Sequence, residues 1–390
     1  MDSLLNRIVW KAKLFCLWWR RIIFASDHFG HNPLRKIWLA LRGGYTLDQY
    51  YLYDFAHNDR RDYLSEFDWY RSRNINKPYD MMLNNKVIAT EVLGQYIQVP
   101  PVFMQKNRGK MVWLTDGEKK YGDLTNGTAA STPSSTTDAS DVAANGAAVP
   151  TPSASKGYCQ VSDALQLLRQ EGSLFMKPLA AGKGKDVFRL EWDAARSCYR
   201  IDGDEASEEE ISDFLTRHDG WFLSGEAKQG AFASSLYPHS GNTIRFITLR
   251  DPETGLIRPF FAVQRIGTDQ TAPVDNGSRG GLVCHIDMET GELSEAKCLQ
   301  RAGTWERHPD TGAQLKGRMV PDWDQLKATM VGLHQKLPFM NFIAWDVLLT
   351  DEGPCIIEAN TSSGPNIIQL WGPQRNGELG DFYRFYGCIK

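Results

Sequence analysis

The sequence predicts an α+β fold in which the strands pair mainly as antiparallel hairpins. Strand-like stretches rich in β-branched and aromatic residues come in neighbouring pairs, such as residues 243–250 with 257–266 and residues 342–349 with 355–360. Such hairpins dominate over strand–helix–strand crossovers, which favours antiparallel sheets over a parallel one. The sequence shows no internal repeat.

Composition excludes several broad classes of protein. A chain of 390 residues is long enough for two or three packed units, and its 44 basic and 47 acidic side chains leave no basic excess for nucleic-acid binding. Because no apolar run approaches the roughly 20 residues that span a bilayer, an integral membrane protein is not expected. Seven cysteines without a CxxC pair fit a reducing, cytoplasmic compartment and exclude a thiolate zinc site.

Residues 1–80 are predicted to form a helical N-terminal region. Apolar residues recur at three- and four-residue spacing between Leu4 and Ile23, and Arg7, Lys11, Lys13, Arg20 and Arg21 supply the basic remainder. One interpretation is a helix whose apolar face packs on the rest of the protein. The alternative is peripheral contact of residues 1–25 with the inner face of a membrane, because basic residues beside Trp18 and Trp19 suit an anionic surface.

The next segments are predicted to form two smaller subdomains, residues 81–122 and 158–235, interrupted by a low-complexity insertion. Residues 123–157 are almost entirely small and polar, so they bury too little apolar surface to offset the entropy of ordering, and we expect disorder there. The expected helices are residues 86–96, 161–170 and 208–216, and the expected strands are residues 97–99, 174–177, 187–191 and 221–223.

Residues 236–390 are predicted to form the catalytic subdomain, which adds a helix over residues 322–336 to the two hairpins named above. Its most informative feature is a pair of carboxylates in the last hairpin. If that hairpin turns at Glu352, Asp346 lies directly opposite Glu358, and Asn360 shares the face of Glu358. The other face is predicted to belong to the core and carries Trp345, Val347, Leu349, Ile357 and Ala359.

Two opposed carboxylates between apolar strands need a compensating charge, because like charges directly opposite each other destabilise a sheet. A divalent cation can supply that charge, and ligands that are all oxygen select a hard ion, Mg²⁺ or Mn²⁺. Asp346, Glu358 and Asn360 are therefore the candidate metal ligands. The alternative is that one carboxylate is exposed to solvent at a frayed strand end.

A glycine- and lysine-rich turn follows the predicted strand that contains Lys177. Gly182, Lys183 and Gly184 lie in this turn, where small residues let backbone N–H groups approach phosphate oxygens. The turn is neither a Walker A loop nor GxGxxG, and alone it could be an ordinary solvated turn. Together with a metal-binding hairpin it predicts a cover over a nucleoside triphosphate.

Three polar residues interrupt the strands of the preceding hairpin and are the candidate catalytic residues. Asn242 and Arg265 are expected at the same end of that hairpin, with Arg245 close by. An arginine there can hold a phosphate or a carboxylate through two parallel hydrogen bonds. The alternative is that these arginines pair with core carboxylates or form salt bridges at the rim.

The motifs NTIRFITL, VDNGSRGGLVCHID and AWDVLL…CIIEANTSSGPN resemble the ATP-grasp superfamily, and in particular the sugar-transfer-associated ATP-grasp group. The resemblance runs from about residue 84 to residue 371, apart from the insertion. It implies the ATP-grasp fold, in which antiparallel sheets of two subdomains enclose ATP.

The resemblance also implies roles for individual residues. Asp346, Glu358 and Asn360 would hold Mg²⁺ ions that bridge the ATP phosphates, and Arg245 and Arg265 would face the terminal phosphate and an acyl phosphate. The remaining implied nucleotide contacts are Lys86 and Lys177, the turn at Gly182, Lys183 and Gly184, and Glu226 and Lys228. One departure is that Ser224 and Gly225 stand where such proteins usually carry two adjacent acidic residues, so that Glu226 is left for the ribose.

The function implied by the resemblance is ligation. An ATP- and Mg²⁺-dependent enzyme would join a carboxylate, on a small molecule or a glycan, to an amine, thiol or hydroxyl through an acyl phosphate, in cell-surface polysaccharide synthesis. One alternative is a kinase that transfers the terminal phosphate to a sugar or another small acceptor. A second alternative is a nucleotide-binding partner of a glycosyltransferase that catalyses no reaction itself.

Overall fold

The computed structural model of the chain describes residues 4–114, 157–179 and 187–390, and these residues form two compact units. The first contains residues 4–100 and Ala227–Lys390, and the second contains residues 101–114, 157–179 and 187–226. Gly182, Lys183 and Gly184, and all but the last residue of the insertion expected at 123–157, lie outside the described residues. The subdomain boundaries drawn from the sequence stay predictions.

The first unit begins with the expected helical region. Polar caps start four of the α-helices of this unit. Asn32 accepts from the backbone N–H of Arg35, Thr46 and Ser65 each form a capping box with the residue three positions on, and Asn85 accepts from the first N–H groups of its helix. The helices are α1 (Leu4–Trp18) with a π-helical extension (Trp19–Ile23), α2 (Pro33–Arg42), α3 (Leu47–Leu52), α4 (Glu66–Ser72), α5 (Met81–Asn84) and α6 (Lys86–Leu93).

The second unit is an antiparallel eight-stranded sheet with two helices. Its elements are β1 (Val102–Asn107), β2 (Lys110–Trp113), β3 (Tyr158–Cys159), α7 (Val161–Glu171), β4 (Ser173–Pro178), β5 (Phe188–Asp193), β6 (Cys198–Ile201), β7 (Asp204–Ala206), α8 (Glu208–Arg217) and β8 (Trp221–Gly225). The strand order is β3-β2-β1-β8-β4-β5-β6-β7.

The prediction of a short strand at residues 97–99 is wrong. Only Gln98 makes a bridge there, to Cys355, and the next strand starts at Val102. Pro100 and Pro101 lack the N–H groups that a continuous ladder needs, so regular pairing begins only after them.

The rest of the first unit is an antiparallel six-stranded sheet and its covering helices. The elements are α9 (Ala231–Leu236), β9 (Thr243–Arg250), β10 (Ile257–Ile266), β11 (Leu282–Ile286), β12 (Leu293–Cys298), α10 (Trp323–Gln335), β13 (Phe342–Thr350), β14 (Gly353–Asn360), α11 (Asn366–Gln369) and α12 (Glu378–Phe385). The strand order is β12-β11-β10-β9-β13-β14, which places β13 between β9 and β14.

The two faces of this sheet differ in a way that positions the charged residues. One face is mainly apolar and packs on α10, with Phe246 and Trp345 in its centre and the buried Thr248 beside them. On the other face, Phe342 and Ala344 of β13 pack against α12 in a second apolar cluster. The next residue of β13 on that face is Asp346, so the face changes from apolar to charged within one strand.

Candidate active site

The hairpin of β13 and β14 brings the two predicted carboxylates together. Asp346 lies directly opposite Glu358, as expected from the sequence, and Ala344 lies opposite Asn360. The turn is one residue tighter than expected, because Thr350 pairs with Gly353.

A β-bulge on β14 restores the expected register at the carboxylates. Val347 pairs with Ile356, whereas its neighbour Asp346 pairs with Glu358, so Ile357 has no partner of its own. The core assignment of Ile357 is therefore wrong. Ile356 is buried in the core instead, and Ile357 is half-buried.

Two arginines from the neighbouring strands grip Asp346. Arg245 of β9 donates from Nε to Oδ1 at 2.5 Å and from Nη2 to Oδ2 at 3.1 Å, and Arg265 of β10 donates from Nη1 to Oδ2 at 2.9 Å. The position of Arg245 follows from the ladder, since it is the residue of β9 directly opposite Asp346. Burial alone would raise the pKa of Asp346, but these two guanidiniums lower it overall.

A further carboxylate, Asp275, completes the cluster. Its Oδ1 accepts from Arg265 Nη2 at 2.6 Å, while its Oδ2 accepts from the backbone N–H and the hydroxyl of Thr243. Burial would lower the pKa of Arg265, but Asp275 and Asp346 raise it. Asp275 lies in the VDNGSRGGLVCHID motif, but the sequence analysis assigned it no role. The arginine within the neighbouring strand was the signal that a second acid was needed.

Glu358 has a different environment from the carboxylate opposite it. Its Oε1 is 3.8 Å from Nζ of Lys86, at the start of α6, and its side chain is 31% exposed. The Asn360 side chain donates to the backbone oxygen of Ala344 at 3.5 Å. The predicted residues Arg245, Arg265, Asp346, Glu358 and Lys86 are thus neighbours in one cluster on one face of the sheet.

The opposed carboxylates were expected to need a metal ion as their compensating charge, and the cluster shows that they do not. Three positive side chains, Arg245, Arg265 and Lys86, face three carboxylates. The opposed acids are therefore compensated within the protein, as the alternative interpretation of the arginines anticipated. Compensation alone does not require a cation, and the case for one depends on the ligand atoms.

The ligand atoms fit a hard divalent cation. A carboxylate has about four acceptor positions, so Asp346, which accepts three hydrogen bonds, keeps room for one more bond. Glu358 accepts no hydrogen bond within the described part of the chain, and Asn360 adds an amide oxygen on the same face. Two carboxylates and an amide make up this set, and oxygen atoms are the ligands of a hard cation. Among the described residues, no group of three or more His, Cys, Asp or Glu side chains could hold a metal ion.

Asn242 does not join the cluster, although it was predicted to be catalytic. Its side chain is 1% exposed and bonded on all sides. The amide nitrogen donates to the backbone oxygens of Ala233 and Tyr237, and the amide oxygen accepts from the N–H of Gly267. Asn242 therefore fixes the start of β9 against α9 and the end of β10, and this is a structural role.

The other predicted nucleotide contacts that the structure describes are divided between the two units. In the second unit, Lys177 lies on β4 with Nζ 5.4 Å from the ring centre of Phe175. Glu226, the expected ribose ligand, accepts from Arg189 at 3.2 Å, and Ser224 is buried with no hydrogen-bond partner for Oγ among the described residues. In the first unit, Lys228 is exposed in the segment before α9.

Comparison with known proteins finds one matching family. The sequence profile of a family described as sugar-transfer associated ATP-grasp matches residues 68–376, and no curated protein matches the chain.

Several solved structures are similar at low identity. The ADP complex of PurK, an N5-carboxyaminoimidazole ribonucleotide synthetase, is 11% identical, with 73% of this chain and 46% of that chain covered and a TM-score of 0.37. The ATP-grasp ligase PsnB with its minimal precursor is 11% identical (81% and 64% covered, TM-score 0.36), and the D-alanine-D-alanine ligase from Coxiella burnetii is also 11% identical (72% and 47% covered, TM-score 0.33). The chain thus spans between 46% and 64% of the length of these three proteins.

Proposed function

The chain belongs to the sugar-transfer-associated ATP-grasp family, and on that basis we propose that it is an ATP- and Mg²⁺-dependent ligase. It joins a carboxylate to an amine, or to a thiol or hydroxyl, through an acyl phosphate. The observation that carries this proposal is the cluster in which Arg245 and Arg265 grip Asp346 directly across from Glu358.

The reaction has two balanced steps. A carboxylate oxygen of the substrate attacks the terminal phosphorus of ATP, and the bond from that phosphorus to the bridging oxygen of ADP breaks. The acceptor nitrogen then attacks the carbonyl carbon of the acyl phosphate, phosphate leaves, and the nitrogen loses a proton. Both steps need alignment and positive charge more than they need a covalent group from the protein.

The side chains of the cluster can meet that need. Within the described part of the chain, Nη1 of Arg245 has only a 3.4 Å contact, with Ser363 Oγ, so it is the guanidinium nitrogen best placed to donate to a phosphoryl oxygen. Arg265 is bonded to two carboxylates and holds Asp346 in place. Glu358, Asn360 and the open position on Asp346 would hold Mg²⁺, which when bound neutralises phosphate charge.

Phosphate release tests this proposal against its two rivals. We expect the full-length protein to release free phosphate from Mg-ATP when a carboxylate and an acceptor are both present, and R245M to reduce the rate at least about 100-fold. A phosphorylated acceptor in place of free phosphate would identify a kinase. Tight Mg-ATP binding without turnover, across a screen of carboxylates crossed with amino acids and amino sugars, would favour a nucleotide-binding partner of a glycosyltransferase.

The family description supports a proposal for the substrate class. We propose a carboxylate carried by a small molecule or a glycan precursor of a cell-surface polysaccharide, which agrees with the association of this family with sugar transfer. The screen described above tests this directly, since uronic acids should be used in preference to simple aliphatic acids.

We further propose that the enzyme works at the inner, cytoplasmic face of a membrane, in contact through its N-terminal helices. Residues 4–42 contain eight lysines and arginines and one aspartate, whereas the whole chain has a net charge of −3. No helix within the described residues is long and apolar enough to cross a bilayer, so the contact is peripheral.

Helix α2 supplies the second argument for this contact. Leu34, Ile37, Trp38 and Leu41 follow the spacing of one helix face, yet this face is exposed, with Leu34 at 80% and Leu41 at 71%. The aromatic side chains of Phe15, Trp19 and Phe24 are also exposed on α1 and its extension. Exposed apolar side chains among basic residues match the chemistry of an anionic lipid surface.

Vesicle binding tests the membrane contact. The variant L34S/I37S should bind vesicles of phosphatidylcholine and phosphatidylserine at least about tenfold more weakly than the wild type, because each side chain loses about 1.5 kcal/mol or more of burial. The control L256S/M319S removes two exposed apolar side chains outside these helices and should bind normally. Equal binding of all three proteins would remove the proposal.

A further inference from the structure

A cavity rich in arginine lies beside α2, and it shares no lining residue with the Asp346 cluster. A cavity of about 640 Å³ is lined by Arg42, Arg60, Arg61, Arg71 and Arg375, with Asp68 as its one acidic lining residue. It is formed by the end of α2, the segment that follows, the start of α4 and the loop before α12, all within the first unit. Most of its lining precedes residue 68, where the family match begins.

The positive charges of the cavity are only partly compensated. Asp68 is 4% exposed and accepts from Arg71 at 3.2 Å and from Arg375 at 2.9 Å, and Arg61 is bonded to Asp59. No carboxylate in the described ranges lies within 4.0 Å of the guanidinium of Arg42 or Arg60. Nε of Arg60 is also buried without a hydrogen-bond partner in the described residues. A buried donor of this kind is costly unless a ligand satisfies it.

Contacts with Trp38 and Tyr45 position Arg60 before any ligand arrives. The guanidinium of Arg60 lies 5.3 Å from the ring centre of Trp38, and the hydroxyl of Tyr45 donates to the backbone oxygen of Arg60 at 2.8 Å. Stacking on an indole ring leaves the edge of a guanidinium free to donate. Arg42 stands at the end of α2, four residues after Trp38.

We propose that this cavity binds a phosphate-bearing group, as a phosphate monoester or a diphosphate. Converging guanidiniums with one already paired carboxylate favour an anion that carries more than one charge and several acceptor oxygens. The volume exceeds that of a bare ion and leaves room for the organic part of a phosphate ester.

The site is independent of the ligase reaction. Its ligand can be a soluble phosphate ester or, because Leu41 and Arg42 also border the exposed face of α2, a lipid headgroup.

Pyrophosphate titration of the full-length protein tests the site in solution. We expect inorganic pyrophosphate, added without Mg²⁺ and without nucleotide, to bind the wild type and R245M alike, because the cavity shares no residue with the Asp346 cluster. The variant R42Q/R60Q should weaken this affinity at least about tenfold, since two charge-assisted contacts are lost. The control R196Q/R217Q makes the same charge change at two exposed arginines of the second unit and should bind normally.

Vesicles distinguish a lipid source. If the natural ligand is a headgroup, R42Q/R60Q should lose binding to phosphatidylcholine vesicles with phosphatidic acid more than to vesicles of equal charge with phosphatidylserine.

A selective loss of binding by R42Q/R60Q in either the pyrophosphate or the vesicle assay supports the site. The absence of selective loss in both, relative to the control variant, would overturn it. ATP-dependent phosphate release and the unfolding midpoint of each variant, measured in parallel, separate this outcome from misfolding and from failure of the ligase proposal.

Discussion

At the scale of single residues, Asp346 and Glu358 show how two acids in one cross-strand pair take different roles. The Asp346 side chain is 8% exposed and accepts three hydrogen bonds from two arginines, whereas Glu358 is 31% exposed with one ion pair at 3.8 Å. Asp346 therefore contributes to the stability of the sheet as well as to the site. Glu358 contributes little to stability and is the more available ligand.

Amide substitutions should separate these contributions. D346N should lower the free energy of unfolding by about 3–5 kcal/mol, because two buried guanidiniums lose their shared counter-charge. E358Q should change it by less than about 1 kcal/mol, since a half-exposed pair is worth little. Urea unfolding measures both values, and phosphate release should be lost in both variants. Similar losses of unfolding free energy in D346N and E358Q would show that the bonds from Arg245 and Arg265 to Asp346 do not stabilise this part of the sheet.

Asn242 allows a second test at this scale, since the structure gives it a structural role. N242A should destabilise the protein by about 3 kcal/mol, because several buried backbone groups lose their partners. The exposed Asn74 serves as the control, and N74A should have an unfolding midpoint close to that of the wild type. A stable N242A protein with no ATP consumption would return Asn242 to the catalytic set.

At the scale of elements, alternation and turn position were enough to predict that Asp346 faces Glu358, because both depend on local geometry. The bulge at Ile357 could not be predicted from the sequence. It compensates for a turn that is one residue tighter than expected. The bulge alone, or the tighter turn alone, would have moved Glu358 out of register with Asp346. The partners of Arg245 and Arg265 were also beyond the sequence. Asp275 comes from a loop, and only the strand order places β9 beside β13.

The contact of α10 with the sheet predicts a dependence of stability on pH. His334 is buried, with Nδ1 2.7 Å from the Thr248 hydroxyl and Nε2 3.2 Å from the Met340 oxygen, an arrangement that suits the neutral ring. Burial lowers its pKa to about 4 from an ordinary 6.5. Between these values the unfolded chain binds more protons than the folded one, so the contribution of His334 is complete above pH 6.5 and is lost as the pH falls towards 4.

The expected loss is about 3 kcal/mol at most over that range. It should appear in the difference between the unfolding free energies of the wild type and H334Q, measured from pH 7 to 4, because other titrating groups cancel in that difference. H57Q, which changes a histidine 82% exposed, should reproduce the wild-type curve. A difference that does not vary with pH would mean that burial leaves the pKa of His334 at its unfolded value.

At the scale of the whole molecule, the sequence predicted an apolar and basic N-terminal region but could not say what covers it. An apolar stripe on a helix has the same spacing whether it faces a protein core or a lipid surface, and only the fold shows that Leu34 and Leu41 of α2 are exposed. The arginine-lined cavity was likewise invisible, because Arg375 reaches it from the other end of the chain.

The insertion offers a final test of how the second unit is held together. Strands β2 and β3 flank residues 115–156 and are already paired, with Met111 opposite Cys159 and the N–H of Trp113 donating to the oxygen of Gly157 at 3.1 Å. Replacing residues 115–156 by a turn of about four residues should therefore keep the sheet intact. Because the unfolded chain loses the freedom of a long loop, stability should rise by up to about 2 kcal/mol. Urea unfolding checks this, with a glycine–serine linker of the original length as the control, and a shortened protein less stable than that control would show that the insertion contributes contacts to the fold.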